Sequence, residues 1–135
     1  MRLNMCLTGA AMLVAAGGAS AQDVDCKNPQ TQSDMTSCEV ARHETADKAL
    51  NEQYKKTRAA MVAVDKDLDG DMKGAEKALV KAQRAWIDYR DAECDAFGFQ
   101  ARGGTLEPML VAGCLAEETE KRTKELKRLE DTMSN

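Results

Sequence analysis

The sequence predicts an all-α fold, in which one domain forms a three-helix antiparallel bundle-like arrangement with two disulfides. Three observations lead to this prediction. Apolar residues recur at three- and four-residue steps in three long segments. The sequence contains neither internal repeats nor the alternating β-branched runs that indicate strands. Four cysteines remain after a predicted export signal is removed, and an even set in an exported domain is typical of disulfides.

The N-terminus predicts export. Arg2 precedes an apolar stretch over residues 5–16, and the small residues 17–21 follow. This is the order of regions in a cleavable secretory signal, so we expect cleavage before Gln22. The apolar run is shorter than the roughly 20 residues that a membrane-spanning helix needs. The sequence thus predicts a signal peptide over 1–21, one helical domain over 22–135, a periplasmic or secreted location and no membrane association after cleavage.

The cysteines predict two disulfides without fixing their pairing. Cys6 leaves with the signal, and the remaining four are Cys26, Cys38, Cys94 and Cys114. A zinc site is the alternative, but neither pair has the two-residue spacing of zinc ribbons. In an up-down-up bundle three of the four lie at one end, and Cys26 can fold back to join them. All three pairings therefore stay open.

The first predicted helix begins after a polar lead-in that contains Pro29. Thr31 followed three residues later by Asp34 is a capping-box pattern. The apolar positions then recur at helical spacing as far as residue 64, with a break allowed: Met35, Cys38, Ala46, Leu50, Tyr54, Met61 and Val64.

Two further helices are predicted after a polar connection over residues 65–74. The second carries Leu79, Ala82, Trp86, Tyr89, Arg90 and Cys94 on one side, and Gly98 is its expected stop. After a turn over 98–105, Thr105 is the expected cap of the third helix, with Pro108 in its first turn. The apolar side of the third helix is formed by Leu110, Cys114, Leu115, Leu126 and Leu129.

The connection between the first two helices matches a calcium-loop pattern. Asp65, Asp67, Asp69, Gly70 and Glu76 occupy positions one, three, five, six and twelve of an EF-hand loop, and Asp71 adds another carboxylate. The alternative is an acidic helix connection without a metal. We therefore predict no cofactor, and keep a calcium-binding envelope module that uses residues 65–76 as the alternative function.

One group of side chains on the second helix has the residue types of a binding hot spot. Gln83, Trp86 and Arg90 are three and four residues apart and share one helix face. Trp and Arg are frequent interface anchors. The favoured interpretation is that the only tryptophan packs in the core and that Arg90 closes over it, because Trp86 lies on the same stripe as Cys94.

Composition argues for a binding protein rather than an enzyme. Loss of Arg2 leaves 18 basic against 23 acidic side chains, a net charge of −5. This charge disfavours nucleic acid and favours a cationic protein partner. The only histidine, His43, is expected on the polar side of the first helix, and the cysteines are expected in disulfides, so catalysis has no evident centre.

On the third helix, Glu117, Glu118 and Glu120 stand four residues before Lys121, Arg122 and Lys124 and predict solvated ion pairs.

The ordered set of these features resembles a known family. It comprises Cys26, TQSDMTSC at 31–38, ADKALNEQY at 46–54, AQRAWIDYRDAEC at 82–94, the Gly103 and Gly104 pair, and Cys114. Together these resemble the LprI-type lysozyme inhibitor N-terminal domain family. The resemblance implies a small helical protein of the bacterial envelope or exterior, without a cofactor, and a cationic lysozyme as candidate partner. Exposed connections often carry recognition, which favours residues 65–74 or the glycine turn as the contact.

Overall fold

A computed structural model describes residues 24–134, which form three helices. They are α1 (Gln32–Asp67), α2 (Ala75–Gly98) and α3 (Glu107–Met133), with a single 3-10 turn, Phe99–Ala101, after α2. The predicted all-α, three-helix class is confirmed. Within the described range no helix is both long and apolar enough to cross a membrane. The predicted signal peptide lies outside the described residues.

Helix α1 begins at the predicted cap. The Thr31 side chain accepts a hydrogen bond from the Asp34 backbone N–H at 3.0 Å, and the Asp34 carboxylate accepts one from the Thr31 N–H at 3.0 Å. This reciprocal pairing satisfies donors that the first turn leaves free. The helix then runs for 36 residues without a break and includes Asp65 and Asp67, which the sequence had placed in the connection.

Helix α2 ends at Gly98 as predicted, but for a different reason. Gly98 has φ of −64°, so its backbone is right-handed and does not require glycine. A Cβ at this position would lie 2.6 Å from Cγ2 of Val111 on α3. Glycine is therefore needed because α2 and α3 approach closely there.

The predicted cap of α3 is wrong. The helix begins at Glu107, with Leu106 at the cap position and no side-chain cap, and Pro108 lies in the first turn as expected. The Glu107 carboxylate fastens the preceding turn, because it accepts the Gly103 N–H at 2.7 Å and pairs with Arg102 at 2.7 Å. Thr105 is left outside the helix.

Consecutive helices run antiparallel, so α1 and α3 are parallel to each other. Asp47 and Arg58 of α1 face Arg90 and Glu76 of α2 respectively, whereas Arg42 of α1 faces Glu120 of α3. Contact is most extensive between α1 and α3, and α2 packs more lightly against both. Within residues 24–134 the buried apolar side chains are Ala46, Leu50, Met61, Leu79, Cys94, Ala112, Ala116 and Leu126.

Small and polar residues bring α1 and α3 together. Ala112 and Ala116 are buried on α3, and Thr57 and Thr119 are fully buried. The Thr57 hydroxyl lies 3.0 Å from the Leu126 carbonyl oxygen, so it can donate a hydrogen bond across the two helices. The two helices therefore approach each other closely, and the core between them contains few large side chains.

The two predicted disulfides are present. Cys26 pairs with Cys38, and Cys94 pairs with Cys114, each with Cα atoms 5.5 Å apart. The first ties the polar lead-in to the start of α1. The second ties the end of α2 to α3, close to the Gly98 contact.

Candidate functional site

The structure places Arg90 over Trp86, as the favoured interpretation has it. The Arg90 guanidinium carbon lies 5.1 Å from the centre of the indole ring. Trp86 is half-buried and packs against the core formed by Leu50, Met61, Leu79 and Leu126. Arg90 itself is only 12% exposed, which strengthens its attraction to the ring because little water screens it.

A second arginine, Arg122, joins Gln83, Trp86 and Arg90, and the sequence did not indicate it. We call these four residues the Trp86 cluster. Arg122 of α3 lies 5.9 Å from the Trp86 ring centre, and its Nε donates to the side-chain oxygen of Gln83 at 3.1 Å. Gln83 is buried, so this hydrogen bond satisfies a polar group within the packed face of α2. Because Arg122 is on another helix, no spacing in the sequence links it to Trp86.

Asp65 performs a structural task that the calcium pattern did not suggest. Its carboxylate accepts three backbone hydrogen bonds, from Gly74 at 2.7 Å, Ala75 at 2.8 Å and Glu76 at 3.0 Å. It therefore caps the start of α2 from the end of α1. These bonds, led by the one from Gly74, hold the pKa of Asp65 below its ordinary value.

The other carboxylates of the calcium pattern do not assemble around a common point. Asp67 ends α1, Asp69 and Asp71 are exposed in the connection, and Glu76 pairs with Arg58 at 2.6 Å. Between residues 24 and 134 the structure contains no group of three or more acidic, histidine or cysteine side chains placed to hold a metal ion. The EF-hand match in sequence thus has no matching ligand set in the fold.

An acidic groove lies at the disulfide end of the bundle, and the sequence did not indicate it. The groove has a volume of about 400 Å³ and is lined by all three helices. We define the acidic groove by its charged and aromatic lining residues, which are Glu39, Arg42, Glu93, Phe97, Glu117, Glu118 and Lys121. Phe97 is 48% exposed, so its ring offers apolar contact to a partner.

Ion pairs neutralise only part of this groove. Arg42 lies 3.3 Å from Glu39 and binds Glu120 through two hydrogen bonds of 2.9 Å, which raise the pKa of Arg42 and lower that of Glu120. Lys121 pairs with Glu118 at 2.6 Å. Neither Glu93 nor Glu117 forms an ion pair with any residue from 24 to 134, and both are exposed, although Glu117 also interacts with the charge of Lys121.

Close approach of α1 and α3 shapes the wall of the acidic groove. A Cβ at position 113 would lie 3.3 Å from a carboxylate oxygen of Glu39, so Gly113 gives that side chain room on the surface of α3. His43, one turn along α1 from Glu39, is half-buried rather than on the polar side. Its Nε2 is buried without a hydrogen-bond partner among the described residues.

A comparison with protein families shows which family this chain belongs to. The model of the family "Lysozyme inhibitor LprI" matches residues 25–126, which include all four disulfide cysteines and the Trp86 cluster. The chain belongs to the LprI lysozyme inhibitor family. The resemblance noted from the sequence is therefore confirmed for most of the LprI-like domain.

A curated relative extends this result without adding a function. An uncharacterized protein of Rhizobium meliloti (strain 1021) is 48% identical over 124 residues, covering 90% of this chain and 89% of the relative. No solved structure matches this LprI family member at a significant level.

Proposed function

We propose that this protein is an exported, non-catalytic binding protein that inhibits a lysozyme. Membership of the LprI lysozyme inhibitor family over residues 25–126 is the observation that carries the proposal. The two disulfides support a periplasmic or secreted location, because such bonds persist in oxidising compartments.

The acidic groove is the surface that we propose for docking. A cationic enzyme would be attracted by Glu93 and Glu117, which form no ion pair within residues 24–134, and Phe97 would supply apolar contact beside them. Complementary charge of this kind raises the association rate and weakens as salt is added. The groove also rests on a rigid base, because Cys114 in its lining is bonded to Cys94.

This choice replaces the two connections that the sequence favoured. The turn at Gly103 and Gly104 is fastened by Glu107, and its nearest exposed aromatic side chain, Phe99, lies against Arg102 at 4.6 Å. The connection after Asp67 presents carboxylates but only one exposed large apolar side chain, Met72. Neither combines free negative charge with an aromatic anchor.

The test is lysozyme activity on cell-wall substrate, titrated with the oxidised protein at low and physiological salt. We expect stoichiometric inhibition that weakens with salt. The variant Glu93→Gln with Glu117→Gln should weaken inhibition about three- to tenfold, mainly through slower association.

The matched control is Glu44→Gln with Asp88→Asn, which removes two exposed carboxylates outside the acidic groove. The control should retain inhibition. If both variants lose it equally, net charge and not this groove is responsible. If several lysozymes are unaffected by the unmodified protein, the proposed function is wrong.

A further inference from the structure

A second groove, between α1 and α2, has the opposite charge. It has a volume of about 380 Å³, and its charged lining residues are Asp47, Arg58, Arg84 and Arg90. An adjoining depression of about 480 Å³ shares Tyr54 and Arg58 with it and adds Lys55, Lys66 and Glu76. We call the two together the cationic groove. It has no lining residue in common with the acidic groove.

The cationic groove stands out against the charge of the whole chain. Its lining carries five cationic side chains and two carboxylates, whereas the full chain has a net charge of −4. Three of these cations are ion-paired: Arg58 with Glu76, Lys55 with Glu52, and Arg90 with Asp91 and Asp47. Neither Arg84 nor Lys66 forms an ion pair with another residue in the described range 24–134. Local positive potential in an acidic protein raises the concentration of an anionic ligand at that place.

Neutral and apolar groups lie beside these cations. Asn51 donates a hydrogen bond of 2.8 Å to Asp47, one helical turn away, so both side chains are oriented toward the groove they line. Tyr54 is half-buried and packs against the core, which holds its ring in place. Ile87, 39% exposed, lies on the opposite wall. The lining thus offers a cation, a hydrogen-bond acceptor, an amide and a fixed aromatic side chain.

We propose that the cationic groove binds an acidic oligosaccharide. Arg84 and Lys66 pair with carboxylates on the sugar rings, while Asp47 and Asn51 exchange hydrogen bonds with hydroxyl groups. Tyr54 packs against the apolar face of one ring. Arginine suits the first role because its planar donors match a carboxylate.

The acceptor Asp47 favours a sugar over an acidic peptide. A carboxylate in the groove repels the acidic side chains of such a peptide, whereas hydroxyl groups are donors that it can accept from. A peptide recognised through its backbone would also need a sheet edge or an apolar helix groove. Residues 24–134 contain no strand and so no sheet edge, and the cationic groove is lined by charged side chains, unlike an apolar helix groove.

The fold supplies a reporter of occupancy. Arg90 links the groove to the only tryptophan, because its guanidinium lies 3.9 Å from Asp47 and 5.1 Å from the Trp86 ring centre. A ligand that contacts Asp47 changes the position or charge environment of Arg90. Trp86 fluorescence should respond to that change.

The experiment titrates the oxidised protein with tetragalacturonate at low salt, using calorimetry and Trp86 fluorescence. Neutral galactotetraose and a tetraglutamate peptide serve as comparison ligands. We expect saturable binding of tetragalacturonate, at least about tenfold weaker binding of the other two, and loss of affinity with salt.

Two charge-matched variants test the location. Arg84→Gln with Lys66→Gln should weaken tetragalacturonate binding about tenfold or more, whereas Lys124→Gln with Arg128→Gln on α3 should leave it unchanged. Equal binding of tetraglutamate overturns the assignment to a sugar, and equal binding of galactotetraose overturns the role of the cations. Absence of binding at millimolar ligand, or equal loss in both variants, overturns the site. Lysozyme inhibition measured on the same proteins separates this result from the proposed function, because the two grooves share no residue.

Discussion

Loss of the two disulfides should have unequal effects on stability. A crosslink stabilises by restricting the unfolded chain, and the size of the effect depends on the loop that it closes. Cys94 and Cys114 are 20 residues apart, which gives about 3.3 kcal/mol by the loop-entropy relation. Cys26 and Cys38 are 12 apart, which gives about 2.8 kcal/mol by the same relation. The native structure makes these two values diverge.

The reason for the divergence is what each crosslink holds in the folded state. Residues 24–28 and 30 are exposed and precede α1, so without the Cys26 bond this lead-in gains freedom in the native state as well as in the unfolded state. Most of the 2.8 kcal/mol should therefore cancel, leaving about 1 kcal/mol or less. Cys94 is fully buried and α2 has fewer contacts than α1 and α3, so its bond should retain about 3 kcal/mol.

The assay is urea unfolding followed by far-ultraviolet circular dichroism, with Cys94→Ala/Cys114→Ala compared against Cys26→Ala/Cys38→Ala. We expect similar slopes of free energy against urea and clearly different midpoints. Equal losses of stability, or a greater loss for the Cys26 pair, would refute the reasoning that the lead-in is released in the native state.

Two further predictions concern the carboxylates. The pKa values of Asp65, Glu107 and Glu120 are lowered, chiefly by hydrogen bonds from the Gly74 N–H, the Gly103 N–H and Arg42 respectively. Groups with a lowered folded pKa stabilise the protein above their ordinary pKa of about 4, and this stability is lost as the pH falls through the folded value. The urea concentration at the unfolding midpoint should therefore decrease as the pH is lowered below about 4, and less steeply in Asp65→Asn. A midpoint that increases on acidification would contradict this. For the calcium pattern, we expect millimolar calcium to leave the Tm unchanged, because Asp65 already caps α2; a rise in Tm that Asp69→Asn abolishes would show that the loop binds the ion.

Local features of the fold could be predicted from the sequence. Thr31 and Asp34 form their capping box because both partners lie within one turn, so spacing alone determines the contact. The helical periodicity as far as Val64 likewise identified α1, although the helix itself continues through Asp65 to Asp67. Thr105 was assigned as a cap by residue type, but Glu107 competes for the same turn through two hydrogen bonds.

Features that depend on contacts between helices could not be predicted. Glu120 was expected to pair with Lys124 on its own helix, yet it binds Arg42 of α1. Arg122 of α3 likewise contacts residues of another helix, Trp86 and Gln83 of α2. The acidic groove and the disulfide pairing also depend on how three helices are placed in space, and helical periodicity gives the faces of helices but not their neighbours.

The small number of large side chains in the core affects the conditions under which this fold is stable. Among residues 24–134, Leu126 is the only large apolar side chain that is fully buried, so the domain gains less from burial and depends more on the Cys94–Cys114 crosslink. Reduction should therefore lower the stability of the domain mainly through loss of the Cys94–Cys114 bond. The acidic groove, which Cys114 lines, should therefore be better ordered in an oxidising compartment, where this disulfide persists, whereas the cationic groove contains no cysteine and should depend less on oxidation.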